Sequence, residues 1–405
     1  MSGIFADRTT INSENRLAEM FGGNLGKDGI KFSAGNPDPE LFPVTQIKKA
    51  FNNAINEYGN QIFEYQTISG FKKLRNYLAQ RTIHTEDIKA TANNILITQG
   101  GQQALDLISK LFLNNGDGIV VEAPTYVGAL SAFEQYNPCY YDVTLKEDGL
   151  DLEQLELLLQ AHPDIKLLYT IPDFQNPTGV TLSLNKRKKL VKLAEEYDFF
   201  ILEDTPYRDL RYKGSRLPSI KSFDHHGHVI FVSSFSKILM PGLRIGWITA
   251  DKSIIDQLSK LKASSDLETS GILLTALNQY IEDNNLDTHI VEMLPIYQKR
   301  LVTMLEVLDE KMPADVHYTR PEGGFFIWLT LPDVIDTQKL LNETCIPKDR
   351  ISFVPGKVFY AHKNRRNSIR LNFSGVNEKQ IKIGISKLAK SIESVITANK
   401  VETLL

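Results

Sequence analysis

From about residue 95 to residue 250 the chain alternates short runs of β-branched and aromatic residues with longer amphipathic stretches. No other feature constrains the fold as strongly. The runs are NILIT (94–98), GIVVEAP (118–124), KLLYTIP (166–172), FFILED (199–204), HVIFVSS (228–234) and RIGWITA (244–250). Nearly continuous apolar character marks strands that are covered on both faces. Between them, Leu190, Leu193, Ala194 and Tyr197 fall at i, i+3, i+4 and i+7, one face of a helix. Buried strands separated by helices predict an α/β fold built on a mostly parallel, doubly wound sheet.

The last hundred or so residues change character. HYTRPEGGFFIWLTLP (317–332) and SIRLNFS (368–374) read as strands, and a closing helix carries Ile381, Ile385, Leu388 and Ile392 on one face. This predicts a second, smaller α+β domain. The expected division is a large domain over 46–290 and a small one made of 1–45 together with 291–405. With no repeat and no Gly/Ser-rich linker between them, the two are expected to pack closely around a cleft.

Composition narrows the function. With 405 residues, 42% hydrophobic and 23% charged, the chain has an ordinary globular make-up. A net charge of −3 offers no basic footprint for nucleic acid or an anionic membrane. No apolar run approaches the roughly 18 residues of a spanning helix. The start, MSGIFADRTT, lacks the basic-then-apolar pattern of a signal peptide. Cys139 and Cys345 are the only cysteines, which fits a reducing, cytoplasmic setting. Both are expected to be buried or half-buried thiols.

In doubly wound sheets, ligands bind at the carboxyl ends of the strands. Gly100 and Gly101 follow NILIT and open an apolar helix, where backbone N–H groups and the helix dipole suit an anion. Thr125 and Tyr126 follow the second run, DFQNPTG (173–179) the third, Asp204 and Tyr207 the fourth, and SSFSK with Lys237 the fifth. A lysine behind three serines, with PGLR four residues on, offers hydroxyls and an arginine for a phosphate and an amine for a carbonyl. DHHGH (224–228) reads as a solvated turn rather than a metal site, and NKRKKL (185–190) as the wet face of a helix.

Together these motifs resemble the fold-type I pyridoxal-phosphate enzymes of the aminotransferase superfamily. The branch is that of 2-aminoadipate, kynurenine and aromatic amino-acid aminotransferases and the aminotransferase-like part of MocR regulators. The anchors are SAGNPDPELFP (33–43), GGQQALDL, PTY, NPTG, EDTPY, SFSKILMPGLRIGW, PEGGFFIWL, FVPG (353–356) and IRLNFS, in that order over nearly the whole chain. The resemblance implies that Lys237 takes the cofactor aldehyde and later shuttles a proton between Cα and C4′, with Asp204 facing the pyridine nitrogen. Tyr126 would stack on the ring, and Tyr207 and Asn176 would bond its phenolic oxygen. Ser234, Ser236 and Arg244 would hold the phosphate, with backbone groups of Gly101 and Gln102. Arg370 would clamp the substrate α-carboxylate with help from Asn176, in a pocket that includes Gly35. Tyr65 would reach the partner subunit's phosphate, which makes a homodimer with shared sites the expected assembly. The family often carries YxxPxG there, and this chain reads YQTISG (65–70). Arg16 either meets an acidic substrate tail or caps a surface helix.

The implied reaction moves an amino group from an aromatic, 2-aminoadipate-like or branched aliphatic L-amino acid to a 2-oxo acid such as 2-oxoglutarate, by a ping-pong route. A β-lyase on the same fold is the alternative. A DNA-binding regulator is disfavoured, because the family-like region starts near Phe32. No metal, nucleic acid or membrane partner is expected.

Overall fold

The structure is a computed structural model, and it describes residues 4, 6, 25, 26, 28–363 and 365–402. Arg16 therefore lies outside the described residues.

In chain order the strands are β1 (Ile30–Lys31), β2 (Ile95–Thr98), β3 (Gly118–Ala123), β4 (Cys139–Lys146), β5 (Gly149–Leu150), β6 (Ile165–Thr170), β7 (Phe200–Asp204), β8 (Val229–Ser234), β9 (Gly246–Thr249), β10 (His317–Tyr318), β11 (Phe326–Thr330), β12 (Ile351–Ser352), β13 (Val354–Pro355) and β14 (Ser368–Asn372). The six runs from the middle of the sequence form β2, β3, β6, β7, β8 and β9. They lie in one eight-stranded sheet of order β2-β9-β8-β7-β6-β3-β4-β5. β4, β3, β6, β7 and β8 run parallel, while β9 is antiparallel to both β8 and β2, and β5 to β4. The sheet is mostly parallel, with two reversed strands.

That reversal of β9 positions the site. Its first residue, Gly246, pairs with Ser234, the last residue of β8. The connection between them, with Lys237 and Arg244 inside it, therefore begins and ends at the carboxyl edge of the sheet. β7 delivers Asp204 to the same edge, and β2 delivers Gly100.

The apolar residues fill a continuous core that includes every residue of β2 up to Ile97. Helix Leu184–Tyr197 turns Leu190, Val191, Leu193 and Ala194 inward, as its spacing requires. Its basic run is not simply a wet face: Lys188 and Lys189 are exposed, but Arg187 is fully buried. There its guanidinium grips Asp173 at 2.8 and 3.2 Å. Cys139 also departs from expectation: it is exposed on the half-open strand β4, and only Cys345 is buried. Residues 224–228 form a turn in which the Asp224 carboxylate accepts the N–H groups of His226, Gly227, His228 and Val229.

A four-stranded antiparallel sheet, β10-β11-β14-β13, stands beside the large one. In it Trp328 of β11 and Val354 of β13 flank Arg370 of β14. β1 pairs in parallel with β12, drawing residues 33–36 past the carboxyl edge of the large sheet. Helix Glu378–Glu402 closes the chain with Ile381, Ile385, Leu388 and Ile392 buried. Among the described residues no helix is long and apolar enough to cross a membrane.

Candidate active site

Two cations define the site, and neither has a carboxylate partner among the described residues. Lys237, half-buried, donates from Nζ to the Gly35 carbonyl at 2.8 Å. Loss of water, reinforced by the Arg370 and Arg244 charges, lowers its pKa from the ordinary 10.5 to about 8, against the pull of Asp204. Arg370 is fully buried. It donates from Nη1 to Asn176 Oδ1 and from Nη2 to the Ser33 carbonyl, both at 3.0 Å, and its Nε has no partner. Its guanidinium lies over the rings of Phe326 and Phe359, at 4.3 and 5.1 Å from their centroids. Burial pulls even this guanidinium down to about 10. A buried arginine held by carbonyls and aromatic faces, with an N–H to spare, has the chemistry to receive an anion.

Asp204 is buried at the end of β7, and Tyr169 of β6 donates to its Oδ2 at 2.9 Å. Burial raises its pKa to about 7, although the Tyr169 bond and the Lys237 charge favour the carboxylate. Tyr207 is buried, edge-on to Phe325 and Phe326, and its hydroxyl meets Asn176 Nδ2 at 3.5 Å. Burial drives both Tyr207 and the half-buried Tyr126 upward, so each keeps its phenolic proton.

A second cluster stands at the start of helix Gly100–Phe112. Gly100 has φ +73°, and a Cβ there would strike the Arg244 guanidinium at 2.5 Å. Above Gly101, by contrast, a Cβ would find no atom within 4 Å. Ser234 and Ser236 share a hydroxyl–hydroxyl bond of 2.9 Å at the end of β8. Open space bounded by helix N–H groups, two hydroxyls and an exposed arginine fits a phosphate.

Buried polar ties hold these loops from behind. Gln175 donates to Glu122 at 2.9 Å and to the Pro124 carbonyl at 2.8 Å, while its Oε1 accepts from Thr178. This fixes the loop of Asn176 against the segment that leads to Tyr126. Asp173 binds Arg187 and Arg208; burial alone would raise its pKa, but the Arg208 and Arg187 charges win and hold it at about 2.

Of the residues expected from sequence, Lys237, Gly35, Arg370, Asn176 and Tyr207 are joined by direct contacts or through Phe326, and Asp204 lies near enough for the Lys237 charge to act on it. Gly101, Ser234, Ser236 and Arg244 frame the open space. Gln102 turns its side chain aside to the Gly128 carbonyl at 2.7 Å, leaving its backbone toward the helix start. Tyr65 lies apart, 84% exposed. Tyr169, Phe326, Phe359 and Gln175 carried no expected role. Phe326 and Gln175 fall within PEGGFFIWL and DFQNPTG, so their motifs had marked the place.

The residues present fit pyridoxal phosphate. The orphaned Arg370 Nε, the open space at Gly101 and a lysine of lowered pKa opposite a buried aspartate are what that group and an amino-acid substrate require. A mostly parallel sheet with this lysine and aspartate at adjoining strand ends defines a pyridoxal-phosphate enzyme of fold type I.

Comparison with known proteins narrows the class. Residues 27–388 match the family described as Aminotransferase class I and II. The chain is 44% identical over 370 residues to aromatic-amino-acid aminotransferase 1 of Thermococcus litoralis, covering 90% of this chain and 88% of that one. A kynurenine aminotransferase of Pyrococcus horikoshii, solved in complex with PMP, superposes with a TM-score of 0.92 at 41% identity, covering 97% and 98% of the two chains. The α-aminoadipate aminotransferase LysN of Thermus thermophilus, complexed with N-(5'-phosphopyridoxyl)-L-leucine, gives 0.90 at 30% identity over 98% and 99%. The chain belongs to the class I and II aminotransferases, and its reaction is a transamination.

Proposed function

We propose that the protein is a homodimeric aminotransferase that takes the amine of an aromatic, 2-aminoadipate-like or branched aliphatic L-amino acid and passes it to a 2-oxo acid, with 2-oxoglutarate the expected acceptor. The observation that carries this reading is the pair of unpaired cations, Lys237 and Arg370, bridged by the carbonyls of Ser33 and Gly35. One suits an aldehyde and the other an α-carboxylate that donor and acceptor share, so a single clamp serves both halves of a ping-pong reaction.

When bound, pyridoxal phosphate supplies the electron sink for the pair left on Cα as its proton departs. The chain does the rest. Lys237 would hold the cofactor through its aldehyde group and, once free, would serve as the base that moves the substrate's Cα proton. Asp204, whose pKa burial raises in the ligand-free protein, would face the ring nitrogen and, as a carboxylate, would keep that nitrogen protonated. Tyr207 and Asn176 would bond the phenolic oxygen, and Tyr126 would lie against the ring face. Ser234, Ser236, Arg244 and the N–H groups of Gly101 and Gln102 hold the phosphate. Arg370 takes the α-carboxylate, and Gly35 and Phe326 border the substrate. Arg16 is the candidate for an acidic side-chain terminus.

Asp204→Asn is expected to retain the cofactor yet slow Cα-proton removal by about 10³-fold, because the electron sink weakens. Stopped-flow absorbance of the amino-acid half-reaction measures this. A near-native rate would remove Asp204 from the role.

The homodimer is supported by an exposed apolar surface. Phe63, Tyr65 and Leu267 are 64%, 84% and 48% exposed, and the segments carrying them are joined by the bond from Gln66 N–H to Glu268. A two-fold copy covering this surface would bring Tyr65 to the partner's phosphate. Tyr65→Phe should then weaken cofactor binding about tenfold, the worth of one hydrogen bond to a charged group. A fully active monomer in sedimentation would refute the shared site.

The division into 46–290 and 1–45 plus 291–405 belongs to the same reading, with its boundary inside helix Leu286–Lys311. Two free thiols support a cytoplasmic setting, and neither nucleic acid nor a membrane enters the scheme. The deciding experiment is a panel of amino acids tested against 2-oxoglutarate, with loss of the cofactor's visible absorbance and formation of glutamate as readouts. Keto-acid release without glutamate would replace transfer by lysis.

A further inference from the structure

Behind the start of helix Gly100–Phe112 lies a buried cation with no part in the site described so far. Lys262, on helix Lys252–Ser265, is fully buried. Its Nζ donates to both oxygens of Asp266 at 2.8 Å and to Gln103 Oε1 at 3.1 Å. Gln103 returns a bond from Nε2 to Asp266 Oδ2 at 2.7 Å, and its Oε1 also accepts the Gln99 N–H at 2.8 Å. The amide is thus fixed in orientation, with two donors on its oxygen and a carboxylate on its nitrogen.

Folding stability gives no reason for this arrangement. An ion pair whose cation is buried roughly breaks even against an apolar filling, and the opposite charges of Lys262 and Asp266 beside the first turn largely cancel toward the helix dipole. Burial accordingly holds the Lys262 amine below its ordinary pKa despite Asp266. What the cluster does fix is geometry. Gln99 precedes Gly100, and its carbonyl accepts Arg244 Nη2 at 3.4 Å. The Gln99 side chain itself makes no capping bond at this helix start.

We propose that Lys262, through Asp266 and Gln103, is a positioning residue of the cofactor-phosphate cradle. It locks the turn at Gln99 on which Gly101 and Arg244 depend. The inference rests on the reading that the phosphate lies at Gly101, Ser234, Ser236 and Arg244. The same cluster reaches further: Asp266 leads through Leu267, at φ +65°, to Glu268, which accepts the Gln66 N–H beside Tyr65. One rigid stretch therefore joins the cradle of one subunit to the segment that faces its partner.

The test compares two ligands of the cofactor-free protein, pyridoxal phosphate and pyridoxal, which share ring and aldehyde and differ in the phosphate. Lys262→Met is expected to weaken pyridoxal phosphate about tenfold, leave pyridoxal unchanged and shift the ³¹P resonance of the bound cofactor. Gln103→Met, which keeps the ion pair but unpairs Gln99, should do the same and serves if Lys262→Met folds poorly. Arg244→Ala separates the layers of the claim. If Arg244→Ala discriminates between the ligands and both methionine variants do not, the positioning role is overturned and the cradle stands. If none of the three discriminates, the cradle reading falls and this inference falls with it. Equal losses for both ligands in the methionine variants would mark a merely structural cluster and also overturn the proposal.

Discussion

Lys237→Ala is expected to lower the rate of amine transfer by at least about 10⁴-fold, the upper range for one positioned proton-transfer group, while leaving the fold intact. The side chain forms no ion pair among the described residues, and its single bond, to the Gly35 carbonyl, lies at the site rather than in the core. Removing it therefore takes away chemistry and little packing. Single-turnover mixing with an amino acid measures the loss, and borohydride reduction of the native holoenzyme followed by peptide mapping identifies the lysine. A label on any other lysine, or an alanine variant within a hundredfold of native, would defeat the assignment. The amine also leaves a mark on pH dependence. Its pKa is lowered in the fold to about 8, whereas the unfolded chain holds the proton to the ordinary 10.5. Between those values the unfolded state binds more protons, so the stability of the cofactor-free protein should gain from this group as pH rises. The gain should be absent from Lys237→Ala.

Arg370→Met should lower kcat/KM for every amino-acid donor by about 10²- to 10⁴-fold, since leaving one partner of a buried charge pair alone costs roughly 3–5 kcal/mol. It should do so without destabilising the protein. In the free enzyme this guanidinium is itself an uncompensated buried charge, with a partnerless Nε and two aromatic faces against it. An apolar chain of similar length suits Phe326 and Phe359 better, so the melting temperature is expected to hold or rise. Activity lost while stability is kept is the signature of a residue retained for binding. A variant within tenfold of native for all donors would remove Arg370 as the carboxylate clamp.

The large sheet was legible because its buried strands are apolar on both faces. β4 escaped for the opposite reason: CYYDVTLK lies toward the edge of the sheet, mostly half-buried or exposed, and its polar residues hide the pattern. β1, β12 and β13 are two residues long, too short for any periodicity to register. Strand direction is not written in side-chain character either, so β9 read as a strand without revealing its reversal. Within the site, residues at strand ends could be named because the chain order of the motifs fixes where they arrive. Arg187 and Tyr169 could not, because each is defined by a partner remote in the chain, and Lys262 could not because its contact with Gln103 spans 159 residues. Arg187 in particular sits in a run of charges where solvent exposure is the ordinary expectation, and the buried Asp173 carboxylate together with the carbonyls of Leu182, Pro172 and Pro218 holds it inside.

The two ends of the site hang from different scaffolds. Lys237, Asp204, Ser234 and Arg244 descend from the large sheet, and the first and last of them share one loop whose base is pinned by the pairing of Ser234 with Gly246. Arg370 and Phe326 belong to adjacent strands of the small sheet, and Phe359 lies in the short helical turn between β13 and β14. In the proposed reading, a substitution around Phe326 or Phe359 acts on the substrate end from the small sheet, while the lysine, the aspartate and the phosphate-binding residues are carried by the large one. Mutational drift can therefore explore new side chains without first surrendering the chemistry, and a lineage built on this plan can change its diet while keeping its engine.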